Sequence, residues 1–288
     1  MKIKKLELNA YKDLVDLAIQ EDIGSGDITT KGVNLPEETF MGVFTSREEG
    51  VLSGVDVAHY VLKKISSNSK IKFLLKDGAP LKRGAKIAII NGPTSEILLA
   101  ERIILNFLQR MSGVATITSK FVKEVSETKC QILDTRKTTP GWRKLEKYAV
   151  LCGGGKNHRM GLYDMVMIKD NHIASLSKNT TTPIREAVIR ARKVIKKNQK
   201  IIIEVDNLIQ MEEALSIAPD IILLDNMPIQ TLKKAVQLRN KTLPGVLLEA
   251  SGGISLKTVK KVAKTGVDRI SIGCLTHSVK SLDIGLDS

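Results

Sequence analysis

From residue 130 onward the sequence repeats one short phrase, an apolar and largely β-branched run that ends in a charged or special residue. The instances are Ile132-Leu133-Asp134, Met165-Val166-Met167-Ile168-Lys169, Ile201-Ile202-Ile203-Glu204, Ile221-Ile222-Leu223-Leu224-Asp225, Val246-Leu247-Leu248-Glu249 and Arg269-Ile270-Ser271-Ile272-Gly273. Helical patterns lie between several of them, over Pro183–Lys197, Leu208–Ile217, Ile229–Arg239 and Ser255–Thr265. Near-continuous apolar strands alternating with helices describe a parallel sheet covered by helices on its faces. In a β/α barrel the C-terminal ends of all strands converge on one mouth, and active sites lie there. Asp134, Lys169, Glu204, Asp225 and Glu249 would share that mouth. Six strands fall short of a closed eight-stranded barrel, and an open doubly wound sheet is the competitor. No GxGxxG follows any of these runs, so the dinucleotide-binding version of that competitor has no support.

The first 112 residues read differently. A short amphipathic helix around Tyr11–Gln20 leads into the turn Ile23-Gly24-Ser25-Gly26-Asp27. Strand-like segments follow at Met41–Arg47, Ile71–Leu75 and Lys86–Ile90, punctuated by Asp77-Gly78-Ala79-Pro80 and Asn91-Gly92-Pro93. The spacing of Ile97, Ala100, Ile103, Ile104, Phe107, Leu108 and Met111 then predicts a helix from Thr94, a good N-cap, to Met111, ending before Gly113. Arg102, Asn106 and Gln109 form a polar stripe opposite that face, either solvated or an interface.

Length supports the division: 288 residues suit two domains, or one large barrel with an extension. The balance of 45 Lys and Arg against 31 Asp and Glu gives a charge of +14, which attracts anions without saying which. Aromatics are only 3% of the chain, a poor basis for stacking nucleic-acid bases. The cations Arg190, Arg192, Lys193, Lys196, Lys197 and Lys200 have helical spacing and read either as a solvated outer face or as a polyanion patch. Cys130, Cys152 and Cys274 are scattered and odd in number, which suggests neither a disulfide framework nor a zinc site. No apolar run approaches the length of a membrane span, and the basic start of the chain is followed by no signal-peptide core. The expected setting is a reducing cytoplasm.

Chemistry concentrates after the strands. Asp134-Thr135-Arg136-Lys137-Thr138-Thr139-Pro140 places two cations and three hydroxyls together, suited to carboxylates or phosphates, with Arg offering a bidentate fork. Cys152-Gly153-Gly154-Gly155-Lys156-Asn157-His158-Arg159 brings in glycines that allow close backbone approach and then two donors. Lys169, in Ile168-Lys169-Asp170-Asn171-His172, is either a Schiff-base nucleophile or an anion clamp. The other cations expected at the mouth favour the clamp. Glu204 and Asp225 suit Mg²⁺ held through water, or ribose hydroxyls, or simple balancing of charge. The small-residue loops Glu249-Ala250-Ser251-Gly252-Gly253-Ile254 and Ile272-Gly273-Cys274-Leu275-Thr276-His277 follow the last two strands, where such barrels bind a phosphate through backbone amides. A mouth of this kind would take a polycarboxylate and a phosphorylated sugar together.

These blocks, with Glu21-Asp22-Ile23-Gly24-Ser25-Gly26-Asp27, Glu101-Arg102 and Asn106-Phe107-Leu108-Gln109, closely resemble the quinolinate phosphoribosyltransferase family from about residue 20 to about 280. Thr135-Arg136-Lys137-Thr138-Thr139-Pro140-Gly141 and Asn157-His158-Arg159 are the most specific of them. Ile103 and Ile104 depart from the smaller residues of many relatives, which touches packing more than chemistry. The resemblance implies an N-terminal α/β sandwich domain at 1–112, an incomplete β/α barrel of the type II phosphoribosyltransferase kind at 113–275, and a segment at 276–288 returning to the first domain. It implies that Arg136, Lys137, His158, Arg159 and Lys169 meet the quinolinate carboxylates with Thr135 beside them. It further implies that Arg102 reaches in from the neighbouring subunit of a homodimer or a hexamer of dimers. Glu204 and Asp225 would hold the ribose and, through water, Mg²⁺, and Ser251, Gly252, Gly253, Gly273 and His277 would take the 5′-phosphate. Lys137, Lys169, Glu204 and Asp225 would be the residues closest to the chemistry.

The activity so implied is transfer of the phosphoribosyl group of phosphoribosyl pyrophosphate to quinolinate, giving nicotinate mononucleotide, pyrophosphate and CO₂ for NAD synthesis. One alternative is a related phosphoribosyltransferase acting on nicotinate or another aromatic acid, yet all five expected cations are present. A basic nucleic-acid-binding protein is the other, and aromatic poverty and the absence of a nucleic-acid motif speak against it.

Overall fold

The structure is a computed structural model and describes residues 3–33, 38–196 and 198–288. Lys197, named above at the end of a helix and within the basic stretch, lies outside the described residues. In chain order the elements are α1 (Lys12–Ile23), α2 (Ile28–Val33), β1 (Thr39–Ser46), β2 (Gly50–Val51), α3 (Val55–Ile65), β3 (Lys70–Phe73), β4 (Pro80–Leu81), β5 (Lys86–Pro93) and α4 (Thr94–Glu124). There follow β6 (Gln131–Leu133), α5 (Arg143–Cys152), β7 (Val166–Ile168), α6 (Asp170–Ser177), α7 (Pro183–Val194), β8 (Ile201–Val205) and α8 (Leu208–Ser216). The remainder is β9 (Ile221–Asp225), α9 (Ile229–Thr242), β10 (Leu247–Ser251), α10 (Val259–Ala263), β11 (Arg269–Ser271), α11 (Cys274–His277) and β12 (Ile284–Asp287). No described helix is long and apolar enough to cross a membrane.

The chain divides into two units. One comprises residues 1–119, 137–155 and 274–288. Its main sheet is antiparallel, in the order β12-β1-β5-β3, with β2 and β4 pairing separately. The central strands β1 and β5 bury Phe44, Ile87, Ala88 and Ile90 completely. β12 adds to the far side of β1, with Val43 opposite Asp287 and Ser46 opposite Ile284.

Helix α4 corrects one expectation. It does not stop at Met111 but runs 31 residues to Glu124. Gly113 sits inside the helix because a Cβ there would lie 2.4 Å from the Lys280 carbonyl oxygen. Glycine is present for a close backbone approach, not as a terminator. The polar stripe on α4 also divides. Arg102 and Asn106 are exposed, but the Gln109 amide donates to the Ile284 carbonyl at 2.7 Å and its own carbonyl accepts from Leu282 N at 3.0 Å. One turn of the stripe is therefore a fastening for β12. Arg110 adds contacts to the Val279 and Thr276 carbonyls and to the buried Glu146.

The other unit comprises residues 120–136 and 156–273. It holds one six-stranded sheet, order β6-β11-β10-β9-β8-β7, and every pairing in it is parallel. Each of the six apolar runs supplies one strand. Ile201, Ile202, Ile203, Ile221, Ile222 and Leu224 are almost wholly buried, as expected for strands covered on both faces. Among the described residues no ladder joins the edge strands β6 and β7, and Leu133 instead bridges Lys156. The result is an open β/α barrel. The helix expected over 255–265 is shorter, and Ser255 and Thr258 form a hydroxyl-bonded turn before it.

Candidate active site

Register decides which side chains share a face, because residues at one level of a parallel sheet point the same way. Met167, Ile202, Ile221 and Leu247 occupy one level, and with Met165 and Leu223 they pack as an apolar floor. One level further along, Glu204, Leu223, Glu249 and Arg269 are aligned. Beyond these, Asp225 stands opposite Ser251. Three carboxylates thus sit above an apolar floor at the C-terminal ends of adjoining strands.

Lys169 follows β7 directly, and its Nζ lies 2.9 Å from Glu204 Oε2. Its backbone N–H donates to His172 Nδ1 at 3.0 Å, which anchors the start of α6. Arg159 is 6% exposed. Its guanidinium donates to the Met165 carbonyl at 3.1 Å and lies 3.4 Å from Met167 Sδ, on the rim of the floor. Burial, and then the neighbouring Arg136 cation, push the pKa of that guanidinium below its ordinary value, against the pull of Asp164 and Glu204. An anionic ligand bound beside these two guanidinium groups would ease their mutual repulsion.

The loop carrying His158 and Arg159 is tied to the sheet by Asp134, which is fully buried just after β6. Its Oδ1 accepts the His158 N–H at 2.8 Å and its own N–H donates to the Lys156 carbonyl at 3.2 Å. His158 Nδ1 in turn accepts the Arg159 N–H at 2.7 Å, and His158 Nε2 lies 3.3 Å from Glu249 Oε1.

On the other side Asn226, with φ of 51°, follows Asp225. Its amide donates to Asp225 Oδ2 at 2.9 Å, and its backbone N–H donates to the Ser251 carbonyl at 2.9 Å. Gly252 has φ of +93°, and a Cβ there would stand 2.1 Å from Asn226 Oδ1. Gly253, at φ of +58°, faces open space. The turn Ser251-Gly252-Gly253 is therefore shaped by Asn226 on one side and bare on the other, where an anion can meet backbone amides.

Of the residues expected at the site, Thr135, Arg136, His158, Arg159, Lys169, Glu204, Asp225, Ser251, Gly252, Gly253 and Gly273 belong to the barrel unit, and Arg102, Lys137 and His277 to the other. Arg136 is exposed. Lys137 presents its carbonyl to the buried Thr276 hydroxyl at 2.6 Å. The exposed His277 places Nδ1 2.5 Å from Ser278 Oγ. Asn226 was not anticipated. An Asn directly after a strand-end Asp, able to adopt the left-handed conformation, was the available signal. No cluster of three or more potential metal ligands of the His, Cys, Asp or Glu type occurs among the described residues. The oxygen pair Glu204 and Asp225 does not form a cage, but it suits a hard cation that keeps most of its waters and arrives on a phosphate.

Family comparison accounts for nearly the whole chain. Residues 27–112 match the family model of the quinolinate phosphoribosyl transferase N-terminal domain, and residues 114–287 match that of the C-terminal domain. A relative from Mycobacterium leprae, named as a carboxylating nicotinate-nucleotide pyrophosphorylase, is 42% identical over 284 residues, covering 98% of each chain. One from Bacillus subtilis, named as a probable enzyme of the same kind, is 41% identical over 96% of this chain and 92% of its own. Among solved structures, the nicotinate-nucleotide pyrophosphorylase of Francisella tularensis superposes with a TM-score of 0.91 at 39% identity, over 100% of this chain and 99% of that one.

Proposed function

The chain belongs to the quinolinate phosphoribosyltransferase family, and we propose from that premise which of its residues carry the family's reaction. It is a decarboxylating pentosyltransferase that joins the phosphoribosyl group of phosphoribosyl pyrophosphate to quinolinate, releasing pyrophosphate and CO₂ and giving nicotinate mononucleotide for NAD synthesis. The observation that carries the residue assignment is the placing of two cations at the strand ends: Lys169 is held by Glu204, and the buried Arg159 sets its guanidinium on the rim of the apolar floor.

Arg136, Arg159 and Lys169, joined by Lys137 and with Thr135 and His158 beside them, receive the two carboxylates of quinolinate. Arg102 completes the set from a second copy of the chain, in a homodimer or a hexamer of dimers. The pyridine nitrogen is already a nucleophile, so no general base is required. Alignment and charge relief do the work instead. Asp225, steadied by Asn226, and Glu204 orient the ribose, while Ser251, Gly252, Gly253, Gly273 and His277 hold its 5′-phosphate. Glu204 and Asp225 would hold Mg²⁺ through water, and that ion would supply charge neutralisation for the departing pyrophosphate. Once the ring nitrogen carries the ribose it is positive, and this charge stabilises the carbanion left beside it when CO₂ departs. The proposed setting is the cytoplasm.

The test is a product assay with phosphoribosyl pyrophosphate and Mg²⁺, comparing two acids. Quinolinate is expected to turn over with release of one CO₂ per nucleotide formed. Nicotinate, with one carboxylate for the same cations, should be at least about tenfold poorer, a difference of about 1.4 kcal/mol. Equal turnover of nicotinate overturns the substrate assignment.

A further inference from the structure

Glu249 is the polar group in the barrel unit that the reaction leaves unexplained. It is 0% exposed, and both carboxylate oxygens lack a well-aligned hydrogen-bond donor among the described residues. A buried carboxylate without a donor is costly, and native proteins keep few of them without a reason. Among the described residues, the one basic side chain within ion-pair distance is His158, whose Nε2 stands 3.3 Å from Oε1, near enough to donate after a small rotation of the ring.

The opposite edge of that ring is already committed. His158 Nδ1 lies 2.7 Å from the Arg159 backbone N–H, which can only donate, so Nδ1 is the acceptor and carries no proton. The ring proton of the neutral imidazole then belongs on Nε2, facing Glu249. The side chain of His158 is 6% exposed, and Asp134 holds its backbone N–H from below. Both ring nitrogens point at protein.

We infer that Glu249 is a positioning residue: its buried carboxylate accepts a hydrogen bond from His158 Nε2–H, which keeps the ring proton on Nε2 and leaves Nδ1 bare to hold the Arg159 amide, so fixing the arginine that receives a quinolinate carboxylate. His158 on this account also acts on the site through Arg159. The Arg159 guanidinium uses one N–H on the Met165 carbonyl and places another 3.4 Å from Met167 Sδ, which sets its direction on the rim of the floor. The inference rests on the quinolinate site proposed above and adds the orienting pair beneath it.

Two measurements test it. Long-range proton–nitrogen correlation on protein labelled at its four histidines, with His158 identified through His158→Ala, reads which ring nitrogen is protonated. The expected result is the Nε2–H tautomer in the free protein, unchanged when quinolinate saturates the site. An imidazolium in either state, or a proton on Nδ1, overturns the inference. Second, Glu249→Gln keeps an acceptor for Nε2–H and should hold quinolinate KM within about threefold, whereas Glu249→Leu should raise it about 10- to 100-fold, the range that loss of an outer partner of an oriented histidine costs. The KM for phosphoribosyl pyrophosphate should move less than about twofold in both, on the same reasoning. Equal losses for both substrates, or a Gln variant as poor as the Leu variant, mean that Glu249 only supports the fold. If Glu249→Leu does not fold, the tautomer and the Gln variant still decide. Failure of wild-type protein to bind quinolinate would sink the substrate assignment and leave the free-state tautomer standing.

Discussion

Adjacent glycines in the phosphate turn should respond unequally to the same substitution. Gly252→Ala forces a side chain to adopt φ of +93°, and places its Cβ 2.1 Å from Asn226 Oδ1, 2.5 Å from Asn226 Cγ and 3.0 Å from Asn226 N. The left-handed backbone costs about 1–2 kcal/mol, and an overlap that displaces a packed neighbour costs about 1–3 kcal/mol more. A loss of about 3 kcal/mol is therefore expected, and Asp225 loses the Asn226 amide that steadies it. Gly253→Ala meets open space at φ of +58°, so only the backbone term of about 1 kcal/mol applies. Its methyl group instead projects where the ligand approaches. Urea denaturation should separate the two variants by about 2 kcal/mol, the overlap contribution alone. Calorimetry should show phosphoribosyl pyrophosphate binding weakened in both, by about tenfold or more in Gly253→Ala, a change of about 1.4 kcal/mol. Adding Asn226→Gly to Gly252→Ala removes the obstructing amide and should restore about 2 kcal/mol of stability without restoring activity, since Asp225 stays unsupported. If Gly252→Ala is as stable as Gly253→Ala, or Asn226→Gly gives no recovery, the packing argument is wrong. Unchanged sugar-phosphate affinity in Gly253→Ala would rule out the amide cradle.

Two further outcomes are expected. Arg102→Ala and Lys137→Ala should each be nearly inactive, yet mixing them should return about a quarter of wild-type activity, because about half the dimers are mixed and one of the two sites in each is intact; demonstrated subunit exchange with no recovery would show that Arg102 does not serve a partner's site. Cys130 and Cys152, both buried with pKa pushed up to about 12 mainly by burial, hold about one part in 10⁴ as thiolate at pH ~8, so mass spectrometry after brief iodoacetamide treatment should find label first on the half-buried Cys274, and prompt labelling of Cys152 would contradict the buried pocket it shares with Ser53.

The barrel was legible because its strands are written twice, once as unbroken apolar runs and again as the polar residue that ends each run. Burial on both faces demands the first and convergence of the strand ends produces the second, so Lys169, Glu204 and Asp225 could be picked out from position alone. The fate of Gly113 was not legible. A glycine after an amphipathic stretch signals a helix end as readily as it signals a close neighbour, and the neighbour here, Lys280, is far away in sequence. Gln109 misled for the same reason, since its partners on and before β12 lie more than 170 residues on. β12 itself, Ile284-Gly285-Leu286-Asp287, is too short and too glycine-poor in turn signals to announce a strand without its partner β1. Glu249 was visible as a strand end, but its burial against His158 depends on the loop that Asp134 ties down.

The pairing of β12 with β1 also sets a timetable for biosynthesis. Val43 waits for Asp287, a separation of 244 residues (287 − 43). At ~5–20 residues per second on the ribosome, that interval lasts on the order of 10–50 s. Throughout it β1 has β5 on one side and a bare row of amides and carbonyls on the other, the kind of edge that pairs with whatever strand comes near. The unit whose synthesis begins first is thus sealed only after the barrel unit has been made, and its nascent edge is where a chaperone, or a neighbouring copy on the same message, would find the chain most open to capture.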